Sequence, residues 1–216
     1  ISGNSMTSYD DLIAMLENFA QQSKIKPLTL GEALDTLDQS GYALLALIMV
    51  LPFVQPIPLG PLTVAGGLAF ATLGWQMWRG NDSPVLPKKI RNMAMSEKTW
   101  GILVKTCLKI VGLCSMFTKP RYTELVSGRR GQKIGGFILM SGGLLMAIPF
   151  VIPLPFNNML PGFAILFFCI GELEDDGLMV FVSFGWLIVT VIYFALFFLG
   201  LYYLGNGVLD YFKFSH

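Results

Sequence analysis

This chain is poor in charge. Only 13% of its 216 residues are Asp, Glu, Lys or Arg, against about 25% in an ordinary soluble domain, too few to cover a water-facing surface. With 54% hydrophobic residues and a mean hydropathy of +0.61, the chain reads as a membrane protein. Charge of one sign is also missing: 15 basic against 14 acidic residues give a net +1, so no nucleic-acid partner is expected. Histidine is confined to the last residue, His216, which excludes a His-based metal or catalytic site. The three cysteines, Cys107, Cys114 and Cys169, are odd in number and scattered through apolar stretches, which fits buried or lipid-facing thiols rather than disulfides or zinc. No metal or cofactor is expected, and no nucleophile, base and orienter share a plausible spacing, so an enzyme is the least expected reading. Residues 1–5 precede a methionine, and Met6 is expected as the natural start. No signal-peptide pattern is visible.

What is present is a series of apolar runs broken by proline. Residues 7–22 form an amphipathic pattern with Leu12, Leu16 and Phe19 on one face. Thr29 and Glu32 repeat a capping signature before an apolar run over 41–54. At 1.5 Å per residue that run covers about 21 Å, against roughly 30 Å of hydrocarbon. Pro52, Pro56, Pro58 and Pro61 stop it, and a second run, 62–78, follows. Two helices around a proline-rich break predict a re-entrant hairpin.

The layout recurs 97 residues later. LPFVQPIPL (51–59) aligns without gaps on IPFVIPLPF (148–156), pairing Pro52, Phe53, Pro56 and Pro58 with Pro149, Phe150, Pro153 and Pro155. Ten of forty pairs are identical between 41–80 and 138–177. Clustered prolines at fixed offsets do not follow from apolar composition, so the pattern is read as an internal repeat. Between the repeats, 79–133 holds twelve of the fifteen basic residues and three acids, while each flank is net −4. The excess of Lys and Arg places this segment in the cytoplasm. Its stretch 96–117 is read as a helix lying in the interface, since lysines inside a span cost several kcal/mol; a third crossing, which would invert the two repeats, is the alternative. The run 178–204 is the one unambiguous full span.

Four groups of residues are candidates for function. The breaks carry Gln55, Asn157, Asn158 and Pro161 beside their prolines and Phe53 and Phe150. They are either hairpin-shaping turns or unwound backbone lining a cavity, because irregular backbone at membrane depth must be buried in protein or face water. The acidic run Glu172, Glu174, Asp175 and Asp176 reads as a solvated turn, with cation binding, proton acceptance or pairing with the basic segment as alternatives. Lys88, Lys89, Arg91, Arg129 and Arg130 are expected on anionic lipid headgroups. Finally, Pro52, Pro56 and Pro58 are expected near a pseudo-twofold position from Pro149, Pro153 and Pro155, with Gln55 and Asn158 facing the seam.

The block 31–60, the basic middle, and the block IPFVIPLPFNNMLPGFAILFFCIGELEDDGLMVFVS (148–183) resemble the ExoD family of exopolysaccharide-synthesis membrane proteins over about 29–200. Its sharper part rests on Pro153, Pro155, Phe156, Asn158, Leu160, Pro161, Asp176 and Gly177; Asn157 departs from the glycine expected there. The resemblance implies a process, bacterial exopolysaccharide production, and no agreed reaction. The combined expectation is an all-α, multi-pass inner-membrane protein in five parts. These are an amino-terminal tail with a short amphipathic helix (1–28), a first hairpin repeat (29–80), a basic interfacial segment (81–133), a second repeat (134–177) and a carboxy-terminal span with its tail (178–216). It is expected to contact membrane lipids, to form a homodimer and to meet polysaccharide-synthesis proteins. It would act as a transporter-like or lipid-remodelling device or as a non-catalytic organising factor.

Overall fold

The computed structural model describes residues 40–56, 59–92, 118–149 and 154–214, single positions between 14 and 32 and between 98 and 112, and no side chains at 89, 90 and 205–214. Pro58, Phe150, Pro153, Cys107, Cys114, the Lys89 side chain and most of 7–22 and 96–117 lie outside the described residues.

The described residues are helical, with no strand among them. Helix α1 is Ser40–Val50. It is shorter than the 14-residue apolar run because Pro52 supplies no amide to continue the ladder, and the chain tightens into a 3-10 turn at Leu51–Phe53. Helix α2, Pro61–Trp78, starts with proline at its first position, where a missing amide leaves no bond unmade. Gly60 enters it at φ +56°, the left-handed region open to a residue without Cβ. A short α3, Lys88–Arg91, follows. Helices α4, Gly128–Met146, and α5, Met159–Leu173, flank the second break, and α6 runs from Leu178 to Phe214.

Helices α2 and α4 make the most extensive pairing, α1 packs chiefly on α5, and α6 lies along α5. The α2–α4 contact is backbone against backbone. A Cβ added at Gly67 would stand 2.6 Å from the Gly143 carbonyl oxygen, and one at Gly136 2.7 Å from that of Gly74. Higher residue numbers on α2 meet lower ones on α4, so the pair is antiparallel, with glycines seven apart on each helix. Close approach through small residues is how helices associate when hydrophobic exclusion cannot drive them together.

The core gathers α1 (Tyr42 to Leu47, Val50), Phe53, Phe70, Met77, Ile138, Leu139, Ile165 and Phe168. The Phe53 ring meets Phe70 edge-on at 6.0 Å. Trp100 and Val104 of the basic middle segment also belong to it, while Lys98, Lys105 and Lys109, at helical positions, are exposed. The loop after α2 is tied down twice: Gln76 brackets Val85 through its amide at 3.2 Å and 2.7 Å, and the Tyr42 hydroxyl donates to Ser83 O at 2.9 Å.

Among the described residues one helix, over Leu178–Leu204, is long and apolar enough to cross a membrane, and only 28% of its most apolar stretch is buried. Its outer face shows Phe181, Ile188, Ile192, Leu196 and Leu199. Ser183 and Thr190, fully buried, bond their own helix at Met179 O and Trp186 O.

Candidate functional site

Two places concentrate polar groups inside this apolar framework. At the first, the two breaks touch. Asn158 precedes α5, where an asparagine side chain ordinarily caps its own helix. Here no such bond is made; the side-chain amide donates across to Phe53 O at 3.2 Å and, more weakly, to Gln55 O at 3.5 Å. Asn158 and Phe53 are 0% and 4% exposed. The Phe53 ring sits on Gly66, and its carbonyl lies 3.6 Å from where a Cβ on Gly162 would be. Phe156 adopts φ +62°, a conformation costing a bulky residue about 1–3 kcal/mol. The Tyr193 hydroxyl of α6 fixes the same break by donating to Pro155 O at 2.7 Å. Thr63 Oγ1, in the first turn of α2, and Asn157 Oδ1 are buried without a hydrogen-bond partner among the described residues.

Of the residues expected at a seam, Asn158 reaches the opposite break with its side chain, whereas Gln55 contributes its backbone carbonyl. Pro52 and Pro56 are exposed, and Pro161 is buried in the first turn of α5.

The second place is the acidic run, which joins α5 to α6 and is not a solvated turn: Glu172, Glu174 and Asp176 are 8%, 8% and 0% exposed. The segment 118–122 clasps it. Arg121 donates to both Asp176 oxygens, from Nε at 2.9 Å and from a terminal nitrogen at 3.1 Å. Backbone amides of Lys119 and Leu178 add bonds of 3.2 Å and 3.0 Å. The backbones join as well: Arg121 N donates to Asp175 O at 3.3 Å and Gly177 N to Arg121 O at 2.8 Å. Gly177 is required here because any Cβ would enter the Tyr122 carbonyl. Tyr122 and Asp175 both take left-handed backbone, φ +51° and +53°.

Electrostatics follow this geometry. Burial alone would raise the Asp176 carboxyl, but the Arg121 guanidinium and the two amides outweigh it and hold Asp176 below the usual range. Burial pushes Glu174 up to about 7, opposed by a hydroxyl bond from Thr118 and reinforced by Asp175 and Asp176. Burial also raises Asp175. Glu172 has neither carboxylate oxygen hydrogen-bonded among the described residues.

Among the described residues the basic side chains expected on lipid are not gathered into a site. Lys88, Arg129 and Arg130 are exposed and Arg91 half-buried; Arg130 makes a loose, exposed pair with Glu124 at 3.8 Å. Sequence reasoning missed Arg121, which was one cation among twelve in the middle segment. A residue 55 positions from its partner leaves no local signal. The glycine pairs were legible in principle, since Gly67 and Gly74, and Gly136 and Gly143, share a seven-residue spacing on two apolar stretches.

The family model for exopolysaccharide synthesis, ExoD, matches residues 12–196. Protein ExoD of Rhizobium meliloti is 28% identical over 185 residues, covering 86% of this chain and 76% of that protein. An uncharacterized protein of Synechocystis is 27% identical over 181 residues, covering 81% of this chain and 84% of its own length. No solved structure matches. The chain belongs to the ExoD family of exopolysaccharide synthesis.

Proposed function

We propose that this chain is a multi-pass inner-membrane protein of exopolysaccharide synthesis or export. In this reading two repeated hairpins dip into the bilayer from a basic, cytoplasmic side and meet in a polar seam, around which the molecule works as a transporter-like or lipid-remodelling device. The observation that carries it is the Asn158 bond to Phe53 O, which joins one break to the other inside the fold.

Dimensions support the membrane placement. The start of α6, the loop 79–92 and the clasp 118–122 sit at one end of the molecule, where the clasp holds Asp176 and the loop caps α1. The breaks sit at the other end, fixed to Tyr193. Tyr193 is fifteen residues along α6 from Leu178, about 22 Å at helical rise. In a hydrocarbon layer of roughly 30 Å the breaks then fall short of the far surface, while α6 alone continues to Tyr202 and Tyr203, at the level of the opposite aromatic belt. At the basic end Arg79 lies 5.1 Å over the Trp75 ring, and Trp75 and Trp78 are exposed, as an interfacial belt requires. The exposed Lys98, Lys105 and Lys109 suit a helix lying among lipid phosphates, with Trp100 and Val104 turned into the core. The pairing of α1 with α5 and α2 with α4 is the reciprocal exchange that two related hairpins make about a pseudo-twofold. Exposed Leu68, Trp75 and Leu144 would meet lipid or a second copy in a homodimer.

The buried, unpartnered Thr63 Oγ1 and Asn157 Oδ1 favour a seam that takes water or the polar groups of a cargo. The second reading, a non-catalytic factor organising the synthesis machinery, is favoured by the near-zero exposure of Asn158 and Phe53. Liposomes containing only this protein separate the two. Protein-dependent movement of an ion, a glycolipid or a polysaccharide precursor, weakened by Thr63→Val, supports the first. Leak no greater than in empty vesicles for all three rejects it.

A further inference from the structure

The acidic turn between α5 and α6 contains more carboxylates than its clasp can serve. Asp176 takes the Arg121 guanidinium and two backbone amides. Glu172 is more than nine-tenths buried with both oxygens unbonded, and Glu174 leaves Oε1 unbonded while Oε2 receives only a long bond, 3.4 Å, from Thr118. We propose that this turn is a proton-binding site, with Glu172 and Glu174 as the proton carriers.

Among the described residues the surroundings supply no competing cation. On α5 itself the titratable neighbour is the buried Cys169 thiol. Within the turn the neighbours are Asp175 and Asp176, both acids. From the clasp come Thr118, the backbone of Lys119, Arg121 and Tyr122, and the one guanidinium among them is spent on Asp176. Helix α4 packs on α5 but keeps Arg129, Arg130 and Lys133 exposed. The one ionisable group of α1, Tyr42, donates to Ser83 O. Helix α6 meets the turn through Met179. No set of three His, Cys, Asp or Glu side chains among the described residues converges as a metal site.

An ionised carboxylate without donors in an apolar interior is strongly disfavoured, and a proton is the ligand that relieves it. Burial holds Glu174 up to about 7, within reach of ordinary pH changes. Glutamine would fill the same volume without exchanging protons. Acids inside membrane proteins recur where protons are bound and passed on. The inference does not depend on any cargo being moved, because its readout is proton occupancy.

Infrared difference spectroscopy of the full chain, isotope-labelled at glutamate carboxyls and titrated between about pH 6 and pH 9, reads that occupancy directly. The expected result is a protonated-carboxyl band at the acid end that disappears at the alkaline end. It should be diminished in E172Q and in E174Q and unchanged in E124Q, which alters an exposed glutamate. No such band at the acid end overturns the proposal, and the wild-type spectrum alone decides this even where a variant does not fold. A band that persists to the alkaline end, as from an inert buried acid, overturns it too. So does a band indifferent to both E172Q and E174Q.

Discussion

The side-chain amide of Asn158 donates to the carbonyl of Phe53 at 3.2 Å, and the two residues stand 105 positions apart in the chain. Neither is appreciably exposed. A buried carbonyl stripped of its donor loses about 1–3 kcal/mol. Asn158→Ala is therefore expected to lower the thermal midpoint of the detergent-solubilised protein. Asn158→Asp, which replaces the donating amide with an acceptor, should lower it at least as much. Differential scanning fluorimetry on the three proteins measures this; equal midpoints would remove the bond from the account.

The glycine contact between α2 and α4 leaves no room for a methyl group. Gly67→Ala and Gly136→Ala would each place a carbon 2.6 Å from backbone atoms of the facing helix, and overpacking of this kind costs about 1–3 kcal/mol. Gly185→Ala on α6 meets nothing within 4 Å and should leave stability unchanged or slightly raised, because alanine is the better helix former. Melting curves of the three variants should separate cleanly into two classes.

The clasp is asymmetric. The Asp176 side chain is 0% exposed and that of Arg121 39%, so Arg121 can be solvated alone and Asp176 cannot. Arg121→Ala should cost on the order of 3 kcal/mol by stranding a buried charge, and Asp176→Asn less. Chemical denaturation of both variants orders them; a greater loss in Asp176→Asn would contradict the assignment of the buried partner.

Stability should fall on both sides of an acidic optimum. Asp176 is held below its usual 3.8, so its contribution is present above that value and is lost as pH falls through the lowered folded value. Glu174 is raised from 4.5 to about 7, so its contribution is complete below 4.5 and is lost as pH rises through about 7. Burial of Asp175 acts in the same direction as Glu174. Thermal midpoints measured across pH should show both limbs, with Glu174→Gln flattening the alkaline limb and Asp176→Asn the acid one.

Much of the helical layout was legible because it is local. Pro52 and Pro61 mark the end of α1 and the start of α2 through chemistry confined to a turn, and the apolar run 178–204 coincides with the first 27 residues of α6. Asn158 was recognisable as a polar group in a costly place, though not the atom it would bond. The acidic run misled for a physical reason: four carboxylates in five residues imply solvation unless a partner is known, and that partner, Arg121 of the basic segment, arrives from 55 residues away. Trp100 and Val104 were hidden likewise, since a lysine-bearing apolar stretch does not announce which of its faces the core will claim.

Both breaks are proposed to lie within the membrane and short of its far surface. Single cysteines at Leu59 and Phe156, compared with one at Ser83 near the basic end and one just beyond Tyr203, test this placement in right-side-out and inverted membrane vesicles with an impermeant thiol reagent, in a background with Cys107, Cys114 and Cys169 replaced. Position 83 is expected to react only in inverted vesicles, the position beyond Tyr203 only in right-side-out vesicles, and positions 59 and 156 slowly in both. Rapid labelling of 59 and 156 in right-side-out vesicles, matching the position beyond Tyr203, would show hairpins that cross completely and would contradict this placement.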